Sequence, residues 1–204
     1  MQNKQDRIHE LNEAQGQLLV KLARYTLMKR LEQQIQQVKY DSLKAALTDS
    51  CFQQTGGVFV TLTLSGQLRG CIGNLTSNEP LESGVRRNAI NAAFHDPRFA
   101  PLNASELEQI EIEISILSEP RPLKYRDGDD LLNKLRPNID GVIIRQQAAS
   151  ATFLPQVWEQ LPRPQDFLAH LCIKAGLAAD SWRNSQLEVS SYQVQYFEEH
   201  SARS

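Results

Sequence analysis

The sequence predicts an α+β fold with a largely antiparallel sheet flanked by helices. Three features carry that prediction. Residues 58–64 and 67–75 read as two strands, the first rich in β-branched residues, around the turn signal Ser65-Gly66. Ile110, Ile112, Ile114 and Ile116 alternate with Glu111, Glu113, Ser115 and Leu117, the cleanest period-two pattern in the chain. The helical stretches between strands are uneven in length, which argues against the regular alternation of a doubly wound sheet.

The elements follow in order. Asn12, with Gln15 three residues on, is a capping-box signal. Leu19, Ala23, Leu27, Leu31, Ile35 and Val38 then form one apolar stripe, so a single helix is expected to reach residue 38. Gly16 is expected to weaken its first turn slightly. A short helix around 43–47 follows, and Gly56-Gly57 ends the helical region. Pro80 suits the first turn of a helix bearing Leu81, Val85, Ala89 and Ala92-Ala93; Pro97 forces it to stop near Asp96. Residues 105–108 look like a capped turn. A short helix over 127–135 starts acidic and is closed by Pro137. Residues 141–145 and 151–154 read as strands, 155–158 as a short helix, and 164–175 as a helix stopped by Gly176. Residues 187–197 read as one last strand. The proline-bearing segment 118–122 is the expected hinge to a smaller lobe around 119–165, and 1–11 and 198–204 are expected to be flexible termini.

Composition sets the broad class. The 204 residues are 41% hydrophobic and 23% charged, ordinary for a globular domain able to bury a core without metal or disulfides. A net charge of −2 leaves no electrostatic footprint for nucleic acid, so that role ranks last. Three widely spaced cysteines, Cys51, Cys71 and Cys172, form no Cys-x-x-Cys pair and no zinc spacing, which points to free thiols, no metal and a reducing compartment. No apolar run approaches the ~20 residues a membrane span needs, and the N-terminus carries no secretion signal, so the cytoplasm is the expected location.

Five segments resemble the AMMECR family: Gly57-Val58-Phe59-Val60-Thr61-Leu62, Leu68-Arg69-Gly70-Cys71-Ile72-Gly73, Ala92-Ala93-Phe94-His95-Asp96-Pro97-Arg98-Phe99, Ile112-Glu113-Ile114-Ser115-Ile116-Leu117 and Thr152-Phe153-Leu154-Pro155-Gln156-Val157-Trp158. They keep the family's order over residues 12–197. The resemblance implies two lobes with a cleft between them. It also implies a protein of the kind called AmmeMemoRadiSam system protein A, grouped with a Memo-like protein and a radical S-adenosylmethionine enzyme as partners. It brings no reaction and no cofactor, and whether the chain is an enzyme stays open.

Cys71 is the strongest chemical candidate, or a structural cysteine packed in a strand. Strand alternation would put Arg69 and Cys71 on one face and Leu68 and Ile72 on the other, and Arg69 there would favour a thiolate. Gly70 and Gly73 leave the backbone open to a ligand. His95 is a candidate base, or a histidine closing a helix through the dipole. Asp96 is a candidate orienter of His95, or a turn residue before Pro97. Arg69 and Arg98 are candidates to clamp a carboxylate or phosphate, or ion-pair partners of Glu111 or Glu113. The expected site is therefore Cys71 and His95 as catalytic groups, with Arg69, Gly70, Gly73, Asp96 and Arg98 binding a small anionic or carbonyl-bearing molecule. A non-catalytic interaction module is the alternative. Glu111 and Glu113 share a face; such a pair can do acid–base work or hold a hard cation, but with no third ligand in sight it reads as a solvated pair. Cys51 and Cys172 read as structural, Trp158 and Trp182 as core or cleft walls, and His9, His170 and His200 as ordinary.

Overall fold

Residues 10–34, 36–183 and 187–199 are described by a computed structural model. The first helix begins where the capping box places it. Asn12 Oδ1 accepts from the Gln15 amide and Gln15 Oε1 accepts from the Asn12 amide, both at 2.9 Å, and α1 runs Glu13–Arg30. The helix does not reach residue 38. It ends at Leu31, and α2 (Gln37–Ala46) starts afresh, leaving Val38 80% exposed. A stripe spanning two helices mimics one long one; Ile35, within it, lies outside the described residues. Gly16 is buried because an added Cβ would lie 2.0 Å from the Phe197 ring, so that glycine serves packing. A four-residue helix, α3 (Ser50–Gln53), is capped by Asp49.

The hairpin forms as expected. Ser65 (φ 52°) and Gly66 (φ 75°) both take the positive φ that a two-residue hairpin turn needs. They join β1 (Gly57–Leu64) to β2 (Gln67–Asn74). Pro80 caps α4 (Leu81–Phe94), α5 (Ala104–Leu107) starts from an Asn103/Glu106 capping box, and β3 (Ile110–Leu117) follows. The remainder comprises β4 (Arg121–Pro122), α6 (Gly128–Lys134), β5 (Gly141–Gln146), β6 (Ala149–Phe153), a 3₁₀ turn Pro155–Glu159, α7 (Pro164–Lys174), a 3₁₀ turn Ser181–Arg183, β7 (Glu188–Tyr192) and β8 (Val194–Glu198).

The expected single strand over 187–197 is instead two, and they belong to different sheets. One sheet has the order β2-β1-β3-β8 and the other β4-β7-β5-β6. Correspondingly the chain divides into two compact units, the first running to Leu117 and resuming at Gln195, the second Ser118–Val194. Tyr192 ends one sheet and Gln195 enters the other: Gln195 Nε2 donates to the Leu11 carbonyl at 3.0 Å, and Gln195 Oε1 accepts from the Leu11 amide at 3.1 Å.

In the first unit, Val58, Val60 and Leu62 of β1 and Ile112, Ile114 and Ile116 of β3 lie on one sheet face. They pack with Leu19, Leu22 and Leu27 of α1 and Val85, Ala89 and Ala92 of α4 in one core. In the second unit the core centres on Trp158, whose ring stacks on Phe167 with centroids 3.7 Å apart, with Leu171 and Cys172 beside them. Trp158 Nε1 donates to the Asp140 carbonyl at 2.7 Å, so the buried indole keeps its hydrogen bond. No described helix is long and apolar enough to cross a membrane.

Candidate functional site

The face on which Cys71 sits is decided by one irregularity. Beside the turn, Leu64 pairs with Gln67 and Thr63 with Leu68, but Leu62 pairs with Gly70 and Thr61 with Cys71. Arg69 is the extra residue of a β-bulge. Past a bulge the partner shifts by one, and a shift of one exchanges faces. Cys71 therefore stands opposite Thr61, on the sheet face away from Val60 and Leu62, and Ile72 stands opposite Val60 on the core face. The expectation that Leu68 lies across from Cys71 is corrected. Leu68, opposite Thr63, shares the outer face with Cys71, and Arg69 leaves the row.

Arg69 turns to α5. Its Nε donates to Glu106 Oε1 at 2.9 Å, and one terminal nitrogen donates to Glu106 Oε2 at 3.0 Å and to the Ala100 carbonyl at 2.9 Å. Only 11% of its side chain is exposed. The expected partners Glu111 and Glu113 are not the ones it takes. Glu106 holds the guanidinium above its usual pKa and Arg69 holds the Glu106 carboxyl below its own, the mutual signature of an ion pair.

The two motif blocks meet along the edge of β2. Asp96 follows the end of α4, which His95 caps. Its Oδ2 accepts from the Cys71 amide at 2.9 Å and from the Arg98 guanidinium at 2.6 Å. Its Oδ1 accepts from Arg98 Nε at 2.9 Å and from the Arg98 amide at 3.1 Å. Arg98 then donates to the Cys71 carbonyl at 3.2 Å. β2 is an edge strand, and this pair satisfies the outward N–H and C=O of Cys71 as a neighbouring strand would. The Asp96 side chain is 1% exposed and that of Arg98 is 53% exposed. The guanidinium holds the Asp96 carboxyl far below the usual carboxylate range, with backbone donors adding and burial opposing. Gly70 lets α4 come close: a Cβ there would stand 2.2 Å from the Ala92 carbonyl oxygen. Gly73 does the same for the Phe59 ring, 2.2 Å from its would-be Cβ.

Cys71 is half-buried, and its Sγ accepts a hydrogen bond from Thr61 Oγ1 at 3.4 Å. His95 is exposed, and among the described residues its ring makes no hydrogen bond or ion pair. The structure thus joins Cys71, Asp96 and Arg98 into one network and leaves Arg69 and His95 outside it. Asp96 is committed to Arg98 and the Cys71 amide. Among the described residues, no group of three or more His, Cys, Asp and Glu could hold a metal ion. Cys51 is half-buried, with its thiol pushed up to about 11 by burial, and Cys172 is buried in its own core. A separate cavity in the first unit is lined by Lys21, Tyr25, Met28, Lys39 and Leu43, and no motif residue contributes to it.

Thr61, Glu106 and Phe99 escape the sequence reading. Thr61 could not be found by counting, because an unbulged hairpin pairs it with Gly70. Glu106 carried a signal in its capping box with Asn103. Phe99, over whose ring both Arg69 (5.9 Å) and Arg98 (5.4 Å) sit, lay in the motif without an assigned role.

The fold and the linked motif blocks define a two-unit α+β protein with a cysteine pinned on an edge strand. Comparison with known proteins gives the family: the AMMECR1 family profile matches residues 20–197, and the chain belongs to that family. A protein of Methanothermobacter thermautotrophicus is 37% identical over 194 residues, covering 93% of this chain and 96% of its own. One from Methanosarcina acetivorans is 37% identical over 192 residues, covering 93% of this chain and 94% of its own. The crystal structure of the uncharacterized protein PH0010 from Pyrococcus horikoshii is similar with a TM-score of 0.77 at 30% identity, covering 93% of this chain and 94% of that one.

Proposed function

We propose that the protein is a thiol-bearing subunit of a system with a Memo-like protein and a radical S-adenosylmethionine enzyme, and that Cys71 engages a small carbonyl-bearing or anionic substrate. One observation carries this reading. The main chain of Cys71 is held by Asp96 at its N–H and Arg98 at its C=O, while its thiol, left half-buried on the outer sheet face, meets a hydroxyl donor rather than a packed core. Fixing the backbone and leaving the sulfur accessible is what a reacting group requires. Arg98, half-exposed beside the strand, supplies a cation next to it. The addition needs no further reagent. The sulfur–carbon bond forms as the carbonyl π pair moves to oxygen, and the thiol proton is released.

The test is the rate at which iodoacetamide labels each cysteine of the folded full-length chain, resolved by peptide mass. Cys71 is expected to label ahead of Cys51 and Cys172. A Cys71 that labels only after denaturation rules the reading out. The second reading, a non-catalytic interaction module, has its own support: Arg69 is ion-paired with Glu106 and Arg98 with Asp96, so neither charge needs a substrate to balance it. Under that reading the Memo-like protein or the radical enzyme co-purifies equally well with wild type and with Cys71→Ala. Loss of function in Cys71→Ala with intact binding favours the thiol.

A further inference from the structure

Glu113 is unusual for a sheet-face carboxylate. It is half-buried, and among the described residues it has no ion pair; its Oε1 accepts from Ser115 Oγ at 3.2 Å. Half-buried carboxylates are commonly paired with a cation, because desolvation opposes their charge. The β register shows what lies beside it. Thr61 is directly opposite Glu113 on one side and directly opposite Cys71 on the other, so the three side chains form one row across β2, β1 and β3. Facing residues in an antiparallel pair have Cβ atoms about 4.5–5.5 Å apart, within reach of a long carboxylate side chain. The middle of the row is already hydrogen-bonded, Thr61 Oγ1 to Cys71 Sγ at 3.4 Å.

We propose that Glu113 is a positioning residue for the Cys71 thiol, holding and returning its proton through the Thr61 hydroxyl between them. The inference rests on the thiol reading above and names the group that handles the proton. A hydroxyl can accept from the thiol while donating to a carboxylate, and the reverse. As sulfur adds to a carbonyl carbon, the thiol proton passes to Thr61 Oγ1 and the threonine's own proton passes to Glu113. The negative charge moves from Glu113 to the former carbonyl oxygen, and reversal returns the proton to sulfur. Among the described residues, the other charged groups around Glu113 are Glu111 on the same face of β3, Glu198 on β8 and, beyond Cys71, Arg98 at the edge of β2. Burial first, then Glu198, raises the Glu113 carboxyl above its ordinary range, with Ser115 opposing, which brings it nearer to a thiol in proton affinity.

The experiment is the pH profile of Cys71 alkylation by iodoacetamide in the full chain, with Cys51 as internal reference. Glu113→Gln removes a like charge from the row, and the midpoint for Cys71 is expected to move toward acid by about 0.5 unit or more. Glu113→Asp keeps the charge and is expected to keep most of the wild-type profile. Thr61→Val moves the midpoint toward alkali and cuts the effect of Glu113→Gln to less than half; Thr61→Ser restores both. If Cys71 labels readily but Glu113→Gln leaves its midpoint within about 0.2 unit of wild type, this inference is overturned and the thiol reading stands. If the Glu113→Gln shift survives unchanged in Thr61→Val, the route through Thr61 is overturned. If Cys71 labels only on denaturation, both readings fall.

Discussion

Asp96→Asn separates the two jobs of the carboxylate at the edge of β2. Each Asp96 oxygen accepts twice: Oδ1 from the Arg98 amide and Nε, Oδ2 from the Cys71 amide and the terminal Arg98 nitrogen. An asparagine amide replaces one oxygen with a donor. Whichever way it turns, one backbone N–H, that of Cys71 or of Arg98, loses its acceptor and faces another donor. A hydrogen bond to a charged group contributes about 1.5–3 kcal/mol, and an unsatisfied donor costs a similar amount. Arg98 is half-exposed and regains water, which places its ion pair at the low end. The expected cost at neutral pH is about 2–3 kcal/mol, or a fall in Tm of roughly 4–10 °C for a chain of this size. Both tryptophans, Trp158 and Trp182, lie in the second unit, so fluorescence follows that unit, far-UV circular dichroism follows both, and amide exchange along β2 follows the first. The decisive readout is exchange at the Cys71 amide, expected to accelerate in the variant. A variant whose Cys71 amide stays as protected as wild type, with stability within about 0.5 kcal/mol, would refute the edge-clamp argument.

The same carboxylate sets an acid limit. Its pKa is depressed in the folded protein, so its contribution is fully present above the ordinary value of 3.8 and is lost as pH falls below it. Wild type should therefore lose more stability than Asp96→Asn on going from pH 5 to pH 2, and the two acid-unfolding curves should converge.

Two further perturbations test other parts of the fold. Gly70→Ala drives a Cβ to 2.2 Å from the Ala92 carbonyl oxygen, and because that oxygen is helix backbone and cannot swing aside the cost is expected to reach about 3 kcal/mol; a thermal melt matching wild type would contradict the close packing of β2 on α4. Tyr192, whose phenol donates to the Phe153 carbonyl at 3.1 Å and lies 3.0 Å from Thr152 Oγ1, is pushed up to about 12 by burial, so stability falls as pH rises above the ordinary 10. Tyr192→Phe should cost about 1 kcal/mol at neutral pH and lack that alkaline loss, read by denaturant titration at pH 7 and pH 11.

Much of the architecture is legible in residue order because it depends on local rules. The Asn12/Gln15 box, the Ser65-Gly66 turn, the alternation of 110–117, the proline that stops α4 and the Gly176 helix end all appear where short-range sterics and hydrogen bonding place them. The family, too, is legible in five short motifs. Two failures share a different cause. The stripe that ran past Leu31 and the strand that ran through Gln193 are both continuous in pattern, but the chain turns after Leu31 and re-enters the same core as α2, and at Gln193 it passes from one sheet to the other. Periodicity records which residues are apolar and carries no information on which core they enter.

The cysteine shows the same division. Its motif, Leu68-Arg69-Gly70-Cys71-Ile72-Gly73, marks the family and the strand from sequence alone. Counting back from the turn without a bulge would pair Cys71 with Val60 and bury its thiol in the core. The single extra residue at Arg69, drawn aside to Glu106, reverses the face and sets the sulfur beside Thr61 and in one row with Glu113. That choice depends on an ion pair between residues 37 positions apart and on α4 pressing against Gly70. Local sequence determined the strand and its residues; only the tertiary contacts decided which way its cysteine faces.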